Sequence, residues 1–211
     1  MLRKFVRVLA VLLTVGTGLS PGQPQSSLSF AANLKIMGFE LGKSTLADVE
    51  AKLGKSPVKK CSHDEETSKE VCYVSARDDQ TRVVFEAGFS GGWKRLDGYK
   101  VMGGGSVERC YRECPRSTEV TSEAQAESGL KLGLGREQLI ALLGAPMHVQ
   151  GNNLNFQQQS RQTMTRKQAE AAGRTFKSPA IDSYYDVQDS VDVTLAGSKV
   201  VEFEVRHVVT Y

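Results

Sequence analysis

Two stretches of the chain carry apolar residues at helical spacing, and much of the rest alternates apolar with polar. In residues 38–54, "GFELGKSTLADVEAKLG", Leu46, Val49 and Leu53 fall at i, i+3 and i+7, one face of a helix. Ser44 or Thr45 supplies the N-cap, with Asp48 three residues after Thr45 as a box-like partner. Gly54 suits the left-handed position after the last turn, and Pro57 prevents continuation. Residues 130–146, "LKLGLGREQLIALLGAP", repeat the arrangement. Leu132-Gly133 matches Leu41-Gly42, and Leu139, Ala141, Leu143 and Gly144 match Val49, Ala51, Leu53 and Gly54, with Pro146 following as Pro57 does. The spacing between the flanking glycines differs by one residue, so the repeat is approximate.

After each helix the period changes to two. The first copy predicts strands over 70–77, 81–89 and 96–102, with "RDDQ" as the turn between the first two. The second predicts strands over 147–156, 180–188, 190–196 and 199–211. Ala196-Gly197-Ser198 is the expected hairpin turn, and Val201, Phe203 and Val205 alternate with Glu202, Glu204 and Arg206. Residues 115–128 are polar and without apolar period, which marks a linker. Residues 157–174, "QQQSRQTMTRKQAEAAGR", are an insertion on one copy only. The expected fold class is α+β: two tandem units, 32–114 and 129–211, each with one or two short helices packed on a three- to four-stranded antiparallel sheet.

Charge and targeting refine this. Arg3, Lys4 and Arg7 precede the apolar run "VLAVLLTV" and a Gly/Ser/Pro stretch ending "SSLSFAA", the layout of a secretory signal. Ser29 and Ala31 place cleavage after Ala31, with Ser20 as the second choice. The run is far shorter than the roughly 20 residues of a membrane span. The first cysteine is Cys61, so no lipid anchor is expected. The formal net charge of the chain is +3, and the signal carries three bases and no acid, so the remainder is neutral. That gives no basis for nucleic-acid binding. The expected location is periplasmic or secreted.

An even set of four cysteines, Cys61, Cys72, Cys110 and Cys114, favours disulfides in such a compartment. Local pairing, Cys61–Cys72 and Cys110–Cys114, is the favoured one of three connectivities. Metal binding at Cys110 and Cys114 is the alternative. Only His63, His148 and His207 are available to add imidazole, and none adjoins that pair, so no metal and no cofactor is assigned.

The repeat of Gly42, Ser44, Val49, Leu53, Gly54 and Pro57 in Gly133, Leu139, Leu143, Gly144 and Pro146, each followed by antiparallel strands, resembles the unit shared by the outer-membrane assembly lipoprotein family (SmpA/OmlA) and the beta-lactamase inhibitor protein family. The resemblance implies helices on one sheet face and a second face free to bind a protein. Unlike the lipoproteins, the chain has no lipid-accepting cysteine.

Sharper chemistry is not supported by the residues. Gly42-Lys43-Ser44-Thr45 ends as a phosphate loop does, but only Phe39, Glu40 and Leu41 separate Gly38 from Gly42, one residue short of the pattern. The second copy replaces Lys43 and Ser44 by Leu134 and Gly135. No nucleophile elbow and no paired zinc-binding histidines occur, so no enzyme is expected. A protein partner remains, with residues 88–105 as a Gly-rich loop holding Trp93, Arg95 and Tyr99, types that dominate interface energetics. Tyr184 and Tyr185 put one aromatic on each face of their strand and join the candidate contacts. An envelope-assembly factor and a small-ligand or metal-binding protein are the competing readings.

Overall fold

Both expected helices form, over 46–53 and 136–143. The computed structural model describes residues 30–58, 68–77, 79–88, 92–104, 111, 113–165, 167, 170 and 184–210. Helix α1 is Leu46–Leu53, and its N-cap is Thr45: the Thr45 hydroxyl accepts from the Asp48 N–H, and the Asp48 carboxylate accepts from the Thr45 N–H at 2.8 Å. That reciprocal pair satisfies two orphan amides of the first turn. Helix α2 is Arg136–Leu143, whose N-cap Gly135 has no side chain; the Gln138 side chain accepts from the Gly135 N–H instead, at 2.9 Å. Gly54 (φ 96°) and Gly144 (φ 85°) end the helices in backbone that favours glycine. Val49 and Leu53, then Leu139 and Leu143, are the buried helical positions.

Among the described residues there are ten strands, in chain order β1 Lys35–Ile36, β2 Phe39–Glu40, β3 Ser68–Ser75, β4 Arg82–Gly88, β5 Gly98–Met102, β6 Arg116–Ser117, β7 His148–Gln150, β8 Asn153–Thr163, β9 Tyr184–Ala196 and β10 Lys199–Thr210. β1 and β2 form a small hairpin with Met37 (φ 52°) and Gly38 (φ 84°) at its turn. The two-residue turn needs positive φ at both places, and it seats Phe39 edge-on to Phe85 at 5.2 Å. The other eight form one sheet in the order β6-β3-β4-β5-β10-β9-β8-β7, antiparallel except for β3 with β6. The first half of the chain supplies β3, β4 and β5, the second supplies β10, β9, β8 and β7, and β5 pairs with β10 without a break.

The register explains the core. Val71, Phe85, Tyr99, Val205, Val191 and Phe156 lie opposite one another across six strands, and Tyr73, Val83, Val101, Phe203, Val193 and Leu154 form the next row. Each of these side chains is at most 2% exposed. Because side chains alternate in a strand, both rows lie on one face, the face that takes the helices. Val49, Leu53, Leu130, Leu139 and Leu143 pack into the same core. The two halves are tied to the sheet by matching hydrogen bonds. Gly42 donates to the Leu96 carbonyl and Leu96 donates to Ser44, while Gly133 donates to the Val200 carbonyl and Val200 donates to Leu134. Thr45 bridges to Arg95, and Gly135 bridges to Lys199.

Several expectations change here. Residues 115–128 are more than a linker, since they contain β6 and bury Val120, Ala124 and Ala126. Residues 157–163, expected as part of an insertion, are the outer half of β8. The strands expected over 180–188 and 190–196 are one strand within the described residues, and 147–156 is a hairpin, because Gly151 (φ 60°) turns the chain between β7 and β8. A β-bulge between Val200 and Glu202 puts Val200 in the core and leaves Val201 37% exposed, reversing the alternation expected at that point. Phe30 and Asn33 are buried, so a cut after Ala31 would remove a core side chain. The rest of the expected signal, the remainder of 157–174 apart from 157–165, 167 and 170, and residues 89–91 lie outside the described residues.

Candidate functional site

The cysteine pairing differs from the local scheme. Cys72 bonds to Cys114, 42 residues away, with Cα atoms 5.3 Å apart. The reason is topological: Tyr111 and residues 113–115 lie on the sheet face opposite the helices, and the chain then pairs as β6 along β3. Tyr111 donates its hydroxyl to Glu70 at 2.8 Å, Arg82 donates to the Tyr111 carbonyl, and Val74 donates to Pro115. Cys72, Val84, Met102 and Tyr111 form a second apolar cluster under this strap, with Cys114 packed against it. Cys114 is therefore no thiolate for a Cys110–Cys114 metal site. Cys61 and Cys110 lie outside the described residues. Among the described residues no group of three or more His, Cys, Asp and Glu is placed to hold a metal ion.

The strap covers only the β3–β5 side. On β10, β9 and β8 the same face is open and polar. Lys100 of β5 faces Glu204, then Asp192, then Asn155, and the row below holds Glu86, Gly98, Arg206 and Ser190. Lys100 pairs with Glu204 at 3.1 Å, and Arg206 pairs with both Glu204 and Glu86. Burial works to raise the Glu204 carboxyl, but Arg206 and Lys100 outweigh it and hold it below the ordinary glutamate range. Glu86 goes the other way: burial raises it, and Arg206 offsets only part of that. Two hollows indent this face. One, of about 320 Å³, is lined by His148, Asn155, Asp192, Thr194, Glu202 and Glu204. The other, of about 520 Å³, lies farther along the strands and includes Gln159, Arg161, Asp186, Gln188 and Thr210.

The sequence-predicted contact residues divide. Tyr99 is 1% exposed and donates its hydroxyl to the Asn33 carbonyl at 2.5 Å, so it is a core residue and leaves the contact surface. Trp93 is 38% exposed and holds φ 62°, a left-handed conformation costly for a bulky side chain. Arg95 is exposed and donates to the Gly42 carbonyl at 3.2 Å. Lys43, beside it, pairs with Glu40 at 2.7 Å. The "GKST" turn is thus zipped to the segment entering β5. Tyr184 is 43% exposed on the strap-side face of β9, and Tyr185, on the helix-side face, donates to Gln162 across to β8. The register puts the start of β5, the end of β10, the start of β9 and the end of β8 at one end of the sheet. Trp93 and Arg95 precede β5 on that side, and Tyr184 and Tyr185 lie beyond the last β5–β10 pair, Gly98 with Arg206.

One residue pair at this end had no signal in the sequence. His207 Nδ1 and an Asp189 carboxylate oxygen are 2.6 Å apart across β10 and β9, both side chains largely buried. The imidazole edge lies over Gly42, where an added Cβ would meet Nε2 at 3.2 Å. The bulge creates the pairing, since the turn register alone would place Gln188 opposite His207. Such a dyad orients a ring, but among the described residues no hydroxyl or thiol is hydrogen-bonded to Nε2. The His207 backbone N–H also donates to the carbonyl of Asp97, just before β5. Among the described residues no helix is long and apolar enough to cross a membrane. No protein-family model, curated protein or solved structure matches this chain.

Proposed function

We propose that the chain is an exported, non-catalytic protein-binding module built of two related α+β units, an inhibitor-like or envelope-associated interaction protein. The matched hydrogen bonds at Gly42/Gly133 and Leu96/Val200 support the twofold build, as does a strand order in which β3-β4-β5 meets β10-β9-β8. The Cys72–Cys114 disulfide supports an oxidising compartment.

The observation that carries the reading is where the halves differ. The turn Gly197-Ser198 joins β9 to β10 tightly, whereas its counterpart between β4 and β5 is a longer loop bearing Trp93 and Arg95. β8, β9 and β10 also run past the start of β5, whose last pair with β10 is Gly98 with Arg206. Both departures lie at the same end. A strained, exposed tryptophan kept at that end fits a contact residue better than a structural one.

The test is affinity capture from cell-envelope and culture fractions with wild type, Trp93→Gly and Tyr184→Ala. Trp93→Gly relieves the positive φ and should leave thermal stability equal or higher. Loss of a specific partner from that variant supports the loop as the contact. Unchanged recovery with both variants rejects this end of the sheet.

A further inference from the structure

We propose that two copies of the chain associate through the outer edge of β8, which has no strand partner beyond Asn155 among the described residues, pairing antiparallel about Ser160. β9 occupies the inner side of β8 along its whole length, from Asn153 to Thr163. β7 occupies the outer side only at Asn153, Leu154 and Asn155. Two hydrogen bonds fix which backbone groups face out. Met147, entering β7, donates to the Asn155 carbonyl, while Leu195 of β9 donates to the Asn152 carbonyl. Odd positions of β8 therefore point outward and even positions point to β9. Gln157, Gln159, Arg161 and Thr163 present N–H and C=O groups that have no strand partner among the described residues.

Such an edge is a template for another strand, and proteins blunt it with proline, lysine, a bulge or a short strand. Residues 157–163 contain neither proline nor lysine. The β8–β9 register runs without a shift, and residues 159–163 are all exposed. The single charge, Arg161, is neutralised by Asp186 of β9 at 2.8 Å.

The occupant is a second copy because the segment complements itself. About Ser160, Gln159 of one copy faces Arg161 of the other, Gln157 faces Thr163, and on the other face Gln158 meets Gln162. No like charges stand opposite one another, and the amides and hydroxyls both donate and accept. All the outward backbone groups of both copies find partners in that register. The contact is isologous, so it closes after two copies and removes both free edges together. It stands apart from the protein-binding reading, and either holds without the other.

Sedimentation velocity over a rising concentration series tests this, with amide hydrogen exchange at residues 157, 159, 161 and 163. The expected result is a monomer–dimer equilibrium in which those amides become protected only as dimer forms. Gln159→Pro removes one outward donor and leaves the β9 ladder intact; it should weaken dimerisation at least tenfold with an unchanged circular dichroism spectrum. Ser160→Lys sets two like charges opposite each other. It should abolish the dimer at low salt and restore part of it at high salt. A chain that stays monomeric throughout overturns the proposal. So does a dimer insensitive to both variants, or protection of those amides already present in the monomer.

Discussion

Glu86 and Glu204 occupy neighbouring rows of the same sheet face and share Arg206, yet their environments push them in opposite directions. Glu204 has the closer cations. Its carboxyl is held low in the folded chain, so it contributes stability above the ordinary glutamate range, and that contribution is lost as pH falls through the folded value. Glu86 is held high because burial, with Asp97, Glu70 and Glu204 nearby, outweighs its one cation, Arg206. Its contribution is present below the ordinary range and is lost as pH rises through the folded value. Urea midpoints measured across the acid range separate the two. Glu204→Gln should lower the midpoint at neutral pH and flatten the acid limb, whereas Glu86→Gln should raise the neutral midpoint and steepen the rise from the acid range to neutrality. If both variants shift the neutral midpoint the same way, the shared Arg206 is not dividing them as described.

At the scale of the element, the two helices show how much was legible. Their positions followed from apolar period and from the glycines that end them, signals that lie within about 15 residues. Their caps differ because Thr45 has a hydroxyl and Gly135 has only its N–H, satisfied by Gln138. Thr45→Ala removes the acceptor for the Asp48 amide and should cost about 1 kcal/mol, read from denaturant unfolding. Gly135→Ala removes no cap acceptor and should not reproduce that loss through capping. The strands were legible where one face is buried, as in Val191, Val193 and Leu195, and illegible beyond the core. Residues 157–163 are polar on both faces, so they carry no period, and only pairing with β9 makes them a strand. The disulfide escaped a local reading because the strap brings Cys114 beside Cys72 after 42 residues. Tyr99 read as a surface aromatic from its Gly-rich surroundings, but its partners Phe85 and Val205 come from other strands and bury it. The His207–Asp189 contact depends on a single bulge, which no alternation pattern marks.

For the molecule as a whole, the decisive contact is β5 with β10. It joins strands about 100 residues apart in sequence and lies at the centre of both core rows. Each half alone would bury its helix on a short sheet and leave a central strand edge bare, and domains that small bury a limited share of their surface. Tyr99 lies edge-on to Phe203 at 6.3 Å across the β5–β10 pairing, so losing it opens the core of both halves. Residues 118–131 add a second tie on the helix side, where Glu127 donates to the Lys35 carbonyl and Ser128 donates to the Asn33 side chain. The chain should therefore unfold as one cooperative unit. Trp93, the sole tryptophan, reports on the β4–β5 loop in the first half, while far-UV circular dichroism weights the strands of both halves with α1 and α2. The two probes should give coincident urea transitions, as two-state unfolding requires. Tyr99→Phe removes one buried hydroxyl bond, at a cost of about 1 kcal/mol, and should move both transitions together. Separate midpoints, with the tryptophan signal changing apart from the dichroism, would show instead that the halves fold independently and that β5 and β10 merely dock.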